Sequence, residues 1–326
     1  MIGPMRPSNH LLVIGLLTAF SLAACATPTP TPTAVPTASP SPSPSPSPTP
    51  TPAPTAVPTP APIPLNADML GKRLTILIVG EDISAYRLAH GTITARTDAI
   101  MVVSVSPDQS KISMISLPRD TVDVPLGDGR VFRQKVNGIM QKYGIDALRK
   151  AMAALLGVPV DHYMMLNMDD FPWMVDAVGG IDVTVQTHVY DPRLNLDIQP
   201  GPLHMDGALA LSFSRTREYD SDYERAARQQ QVILAIVQKW LTPAGGASLV
   251  GAMRFLGSLR TDLVMGDVPT LLEIGRRSAD AAVSRVVLTP PRFGDDGIDT
   301  SALKRGWVMI PNLKAIRSYA RSVMAD

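Results

Sequence analysis

The sequence predicts an α/β fold, an α-β-α sandwich around a mixed central sheet, preceded by a disordered proline-rich tether. Three observations predict it. Beyond residue 65, β-branched apolar runs bounded by turn residues alternate with segments of helical periodicity, the pattern of a sheet covered by helices. Two of those runs, 99–105 and 111–117, are joined by Ser106, Pro107, Asp108 and Gln109, which is turn chemistry for an antiparallel hairpin. Before residue 65 the chain is almost wholly Thr, Ser, Pro, Ala and Val, too poor in apolar surface to build a core.

Residues 1–25 read as an export signal. Arg6 and His10 precede the apolar run LLVIGLLTAFSLAAC, which at about fifteen residues is short for a membrane span. Leu22, Ala23, Ala24 and Cys25 resemble the bacterial lipobox, in which a peptidase cuts before the cysteine and the thiol is diacylated. An undersized, uncleaved anchor is the other reading, and both export the chain. Cys25 is the one cysteine present, so an intrachain disulfide and a cysteine-rich zinc site are excluded, and it is the candidate lipidation site. Residues 26–65 form the tether, extended at roughly 3.1 Å per residue and reaching up to about 120 Å. The remaining part, about 260 residues, is enough for one large domain. It is read as a catalytic domain over 66–242 and a C-terminal α/β extension over 243–326 packed on it.

Thr75 to Val79 has the composition of a buried strand and delivers Gly80, Glu81 and Asp82 at its end. In the hairpin that follows, Arg96, Thr97 and Asp98 precede the first strand, and Pro118, Arg119 and Asp120 follow the second. Antiparallel pairing puts those ends side by side, so Asp98 and Arg119 are expected to be neighbours. Helices are expected over 132–143 and 145–156, ended by Gly144 and Gly157. A strand over 158–166, a helix over 169–178 and a strand over 181–185 come next, then helical sequence over 247–283, a strand over 285–288 and a helix over 310–324.

The densest charge lies in RTREYDSDYERAARQQ, residues 215–230, with four arginines and four carboxylates. Leu209, Leu211 and Phe213 alternate into Arg215 and Arg217, so a strand end would hold both guanidinium groups on one face, roughly 7 Å apart. Two such forks suit a phosphate. Ser221 and Glu224 have the spacing of a capping box, and Ala226, Ile233, Val237 and Trp240 continue as a helix. Asp222, Arg225 and Arg228 would share a face of its first turns. A solvated ladder of ion pairs is the competing reading, since the stretch sums to zero charge. The meeting of two further charged strand ends favours a site.

A net charge of +1 and a pI of about 7.9, with no basic stripe, exclude nucleic acid as the expected partner. The five histidines show no paired metal spacing, and no serine sits in a nucleophile-elbow frame. Methionines at 152, 164, 165, 168 and 174 suit either core packing or a lipid channel.

Six segments, in order, resemble those of the LytR-CpsA-Psr family: VGED (79–82), RTDAIMVVSVSP (96–107), SLPRD (116–120), KVNGIMQKYG (135–144), VGGIDVTV (178–185) and 201–230. The resemblance covers roughly 74–240. It implies an extracytoplasmic enzyme, at the outer face of the cytoplasmic membrane, that transfers a glycopolymer from a polyprenyl diphosphate to a cell-wall acceptor such as peptidoglycan. It implies a divalent ion, usually magnesium (Mg2+), with Asp98 and Asp82 as ligands. Arg119, Arg215 and Arg217 would hold phosphate oxygens, with Asp222 and Arg225 completing the charged site. Arg96, Lys135, Arg228 and Gln229 are the further substrate-binding candidates. The base for the acceptor hydroxyl stays open between Asp222 and Asp120. Relatives are mostly anchored by a membrane-spanning helix, whereas this chain carries the lipobox. Rival readings are a diphosphatase of the same carrier and a binding protein for polyprenyl phosphates or wall polymer without turnover.

Overall fold

The computed structural model describes residues 64–81, 90, 97–218, 221–240 and 249–324. Cys25, the tether up to residue 63, Asp82 and Arg96 lie outside the described residues.

A short helix, α1 (Ala67–Gly71), leads into β1 (Leu74–Glu81), β2 (Thr97–Val105) and β3 (Lys111–Ser116). A small ribbon, β4 (Val124–Pro125) with β5 (Val131–Phe132), precedes α2 (Ile139–Tyr143) and α3 (Ile145–Leu156). Then come β6 (His162–Asn167), α4 (Asp170–Asp176), β7 (Ile181–Val185), β8 (Val189–Asp191), β9 (Leu196–Ile198) and β10 (Gly201–Met205). Two helices follow, α5 (Gly207–Arg215) and α6 (Asp222–Trp240). The chain continues through α7 (Leu249–Ser258), β11 (Arg260–Thr261), α8 (Val268–Arg277) and β12 (Ala282–Val287). A ribbon of β13 (Gly294–Ile298) and β14 (Trp307–Pro311) precedes α9 (Leu313–Met324).

Among the described residues, six strands form the central sheet in the order β11-β6-β1-β2-β3-β12. It is mixed, because β1 pairs antiparallel with β2 and parallel with β6, and β3 pairs antiparallel with β2 and parallel with β12. Strand alternation divides its side chains between two faces. Leu77, Val79, Ile100, Val102 and Ile115 pack on one face with Leu148, Met152 and Leu155 of α3 and Ile316 and Ala320 of α9. Ile78 and Met101 point to the other face, which α6 covers. Gln230 of α6 anchors it there, its amide donating to Ser116 Oγ at 2.9 Å and to the Val286 carbonyl at 2.7 Å. The result is an α-β-α sandwich, to which β11, β12 and α9 contribute from beyond residue 243.

Three expected elements are corrected. Residues 209–217 form no strand: α5 runs through Arg215, its first turn capped by Asp206, whose carboxylate accepts from the Leu209 amide at 2.8 Å. The buried positions Gly207, Ala210 and Phe213 recur every three residues, with Ser214 four after Ala210, so helical burial overrides a short alternation of apolar residues. The helix expected over 132–143 begins only at Ile139, because Phe132 pairs with Val124 and the Val136 amide donates to the Thr121 carbonyl. In the region 247–283, β11 pairs with β6 between α7 and α8.

Candidate functional site

The site forms where three chain segments end on the α6 side of the sheet. β1 and β2 carry the first. Gly80 pairs with Ala99 and Glu81 with Thr97, which leaves Asp98 as the extra residue of a β-bulge. A bulge re-aims one side chain out of the alternation, and here Asp98 joins Ala99 and Met101 on the cavity side. A side chain on Gly80 would press on the Ala99 methyl, its Cβ only 3.0 Å away, so the close pairing beside the bulge needs glycine.

The end of β3 carries the second. Arg119 Nη1 donates to Asp98 Oδ1 at 2.7 Å, as hairpin geometry leads one to expect. Its Nε lies 3.5 Å from Asp222 Oδ1 and 3.8 Å from Asp120 Oδ2. Burial works against the charge on this guanidinium, but Asp98 and Asp222 beside it raise its pKa above the ordinary value. Lys135 is tied to the same group through Asp120, Nζ to Oδ1 at 2.7 Å, and does not line the cavity.

The start of α6 carries the third. The capping box is present: the Ser221 hydroxyl accepts from the Tyr223 and Glu224 amides, and Glu224 accepts from the Ser221 amide at 3.0 Å. It places Asp222 in the first turn, where the helix dipole favours a carboxylate. Arg225, one turn on, donates through Nη2 to Asp222 and, at 3.1 Å, to the Asp98 backbone carbonyl. Its side chain is 5% exposed. Burial pulls its pKa down, partly offset by Asp222, with Arg119 and Arg217 as like charges beside it. Arginine stays charged even so. Asp222 Oδ1 lies 2.9 Å from Arg225 Nη2 and 3.7 Å from Arg217 Nη1, yet among the described residues it has no hydrogen-bond partner, and neither has Arg119 Nε or Arg225 Nε. Buried donors without a hydrogen bond suit a place that takes oxygen acceptors.

Arg215 and Arg217 line one cavity of about 210 Å³, together with Arg225, Gln229, Asp98 and Glu81. They reach it from the last turn of α5 and the residue beyond its cap, Thr216, which is extended at ψ 145°. The inner wall is apolar, made by Ile78, Met101, Leu166, Phe171, Val232 and Ile233. Of the five methionines singled out in sequence, Met168 lines this cavity, whereas Met152, Met165 and Met174 are buried in the cores.

Arg228 stands apart from the cavity. Buried at 6% exposure, it donates to the Phe213 carbonyl at 2.9 Å and the Thr216 carbonyl at 2.6 Å. Gln229 donates to the Ser214 carbonyl at 3.2 Å while lining the cavity. These bonds satisfy the orphan carbonyls at the end of α5, and the Thr216 hydroxyl, bonded to buried Asp191 at 2.7 Å, pins the same turn. Arg228 therefore positions Arg215 and Arg217.

Glu81 is the charged residue among those lining the cavity that sequence reasoning passed over. It is 5% exposed, and burial raises its pKa against the opposing pull of Arg260, 3.3 Å away. Its place in VGED was the signal, overshadowed by Asp82. Among the described residues no group of three or more His, Cys, Asp or Glu could hold a metal ion, and Asp98 is the described member of the expected ligand pair. Among the described residues no helix is long and apolar enough to cross a membrane.

The LytR_cpsA_psr family model matches residues 59–291. A polyisoprenyl-teichoic acid–peptidoglycan teichoic acid transferase, TagU of Bacillus cereus (strain AH820), is 30% identical over 192 residues, 58% of this chain and 59% of that protein. The match thus spans little more than half of the relative's length. The crystal structure of TagV from B. subtilis superposes with a TM-score of 0.64 at 24% identity, covering 78% of this chain and 98% of that one. A structure of TagT bound to LIIa-WTA gives a TM-score of 0.61 at 23% identity, covering 79% and 92%. At these identities the structural likeness concerns the fold.

Proposed function

Since this chain belongs to the LytR_cpsA_psr family, we propose that it transfers a polyprenyl-diphosphate-linked glycopolymer to peptidoglycan outside the cytoplasmic membrane. One observation carries this reading: a single cavity joins an apolar wall to a rim of three arginines, Arg215, Arg217 and Arg225. A lipid-linked diphosphate has the same two-part character, with an apolar chain next to concentrated negative charge. The transferase names borne by relatives such as TagU support the choice of acceptor.

In the reaction, the oxygen of an acceptor hydroxyl attacks the phosphorus attached to the glycan, and the bond from that phosphorus to the bridging oxygen breaks. Polyprenyl monophosphate leaves with the bridging oxygen, and the glycan becomes linked to peptidoglycan through a phosphodiester. Negative charge on the transferred and leaving phosphates has to be held, which permanently charged, planar arginine forks do well. Arg215 and Arg217 grip the diphosphate, and Arg119 and Arg225 hold the end nearest the attacking oxygen. Asp222 or Asp120 takes the proton of the acceptor hydroxyl. Mg2+ would be held by Asp98 together with Asp82. Two hard carboxylates are what this ion takes when phosphate oxygens and water fill its other positions, and when bound it neutralises phosphate charge. Arg96 adds a further cation for the phosphates. Diacylation of Cys25 would tether the enzyme to the outer face of the membrane, with 26–65 as the spacer.

The test is incubation of the full chain in detergent with a polyprenyl-diphosphate-linked glycan and a peptidoglycan oligomer. The expected products are a glycan-phosphate–oligomer conjugate and polyprenyl monophosphate, lost on chelation with EDTA and restored by Mg2+. Free glycan phosphate without conjugate would make the protein a diphosphatase; bound but intact donor would make it a binding protein. Membrane retention that survives Cys25→Ala would overturn the lipid anchor.

A further inference from the structure

Directly behind Asp222 lies a second cavity, of about 360 Å³, that the diphosphate does not require. Its lining includes Asp120, Asp222, Ser221, Tyr223, Asp296 and Trp307, with no Lys or Arg among the described residues that line it. Two of these come from the β13–β14 ribbon, which lies beyond the residues matched by the family model. The ribbon is fixed against the segment that carries Arg119 and Asp120: the Met309 amide donates to the Asp120 carbonyl at 3.1 Å, and the Val122 amide donates to the Met309 carbonyl at 2.9 Å. The Tyr223 phenol, at the start of α6, donates to Asp296 Oδ2 at 2.7 Å and closes the wall between helix and ribbon.

The chemistry of this cavity differs from that of its neighbour. Its carboxylates are already held, Asp120 by Lys135 and Asp222 by Arg225, so no cation is left over for a diphosphate, whereas their remaining lone pairs accept hydrogen bonds from neutral hydroxyl groups. Trp307 is 53% exposed although it borders a cavity, so a broad aromatic surface is offered to a ligand. An indole beside carboxylate acceptors suits a pyranose, whose C–H groups lie on the ring and whose hydroxyls reach the acids. The two cavities meet at Asp222, which borders the second while it touches Arg225, which borders the first. The Asp222 side chain is 22% exposed, so its carboxylate can take a hydrogen bond from a hydroxyl group in the second cavity.

We propose that the cavity between the start of α6 and the β13–β14 ribbon is the acceptor subsite, in which Trp307 and Asp296 bind a sugar of the peptidoglycan strand and aim its hydroxyl past Asp222. The inference rests on the transferase reading for the role of that sugar, while the binding itself can be measured without turnover.

The experiment uses the full chain and a soluble, uncrosslinked peptidoglycan fragment. Its binding to donor-free protein is measured by calorimetry, and KM values for acceptor and donor are measured separately. Trp307→Ala is expected to weaken fragment binding and raise acceptor KM by about tenfold, as loss of a central aromatic contact does. Donor KM is expected to stay the same. Trp307→Phe should recover most of the loss, and Asp296→Asn should raise acceptor KM alone. If Trp307→Ala does not fold, the Phe and Asn variants carry the test. Transfer with acceptor KM indifferent to these changes overturns the inference and leaves the transferase reading standing. Trp307-dependent fragment binding without any transfer supports the inference and removes the transferase reading instead.

Discussion

Asp222 and Arg225, one helical turn apart on α6, form an ion pair at 2.9 Å whose two members border different cavities. The arginine faces a cavity that is apolar inside and basic at its rim; the carboxylate faces one that is acidic and aromatic. A transfer from an anionic donor to a hydroxyl acceptor needs such a boundary, with positive charge on one side and a proton acceptor on the other.

Asp222→Asn keeps the shape of this pair and removes its charge. The arginines around it lose a competitor for phosphate, so donor KM is expected to fall or stay level. The turnover number should drop by about 10²-fold, within the range for loss of a proton-transfer group. Steady-state kinetics with separate donor and acceptor titrations check the split. An unchanged turnover number would remove Asp222 from the chemistry and leave Asp120 as the base.

Arg228→Lys tests the clasp on α5. A lysine cannot donate from a planar fork to both the Phe213 and Thr216 carbonyls. Thermal unfolding is expected to show a loss of about 1–3 kcal/mol for the unsatisfied buried carbonyl. Because the clasp holds the Arg215–Arg217 turn, donor KM should rise as well. Thr216→Val, which breaks the bond to Asp191, should raise donor KM in the same direction.

Glu81→Gln tests a buried charge. Burial raises the Glu81 pKa above 4.5, so the folded state holds its proton more tightly than the unfolded chain does. This carboxyl therefore favours folding most below pH 4.5, and the advantage is lost as pH rises through the raised folded value. The neutral amide escapes that loss. The melting temperature of Glu81→Gln is expected to exceed that of the wild type at pH 7 and to converge with it near pH 4. An equal difference at both pH values would show that the charge is not what burial opposes.

Gly207→Ala tests packing at the start of α5. The Gly207 amide donates to Asp176 Oδ1 at 2.7 Å, and any Cβ there collides with the Pro172 carbonyl of α4. Denaturant titration is expected to show a loss of about 1–3 kcal/mol from overpacking, despite the better helix propensity of alanine.

Local chemistry alone determined a good part of this protein. The hairpin ends that join Asp98 to Arg119, the capping box at Ser221 and the stop at Gly157 depend on residues a few positions apart or on one turn, so they could be read from the chain. What decided the rest acts over distance. Leu209, Leu211 and Phe213 fit a strand as well as a helix when read alone, and only the packing of Gly207, Ala210 and Phe213 into a core chose the helix. Arg228 is as charged as Arg225, but the nearby end of α5 claims it for backbone carbonyls and leaves Arg225 to the cavity. Tyr223 and Asp296 are 73 positions apart, and no local pattern brings Trp307 to the start of α6. Charge density identified the residues able to do chemistry; burial and long-range pairing sorted them into grip, clasp and wall.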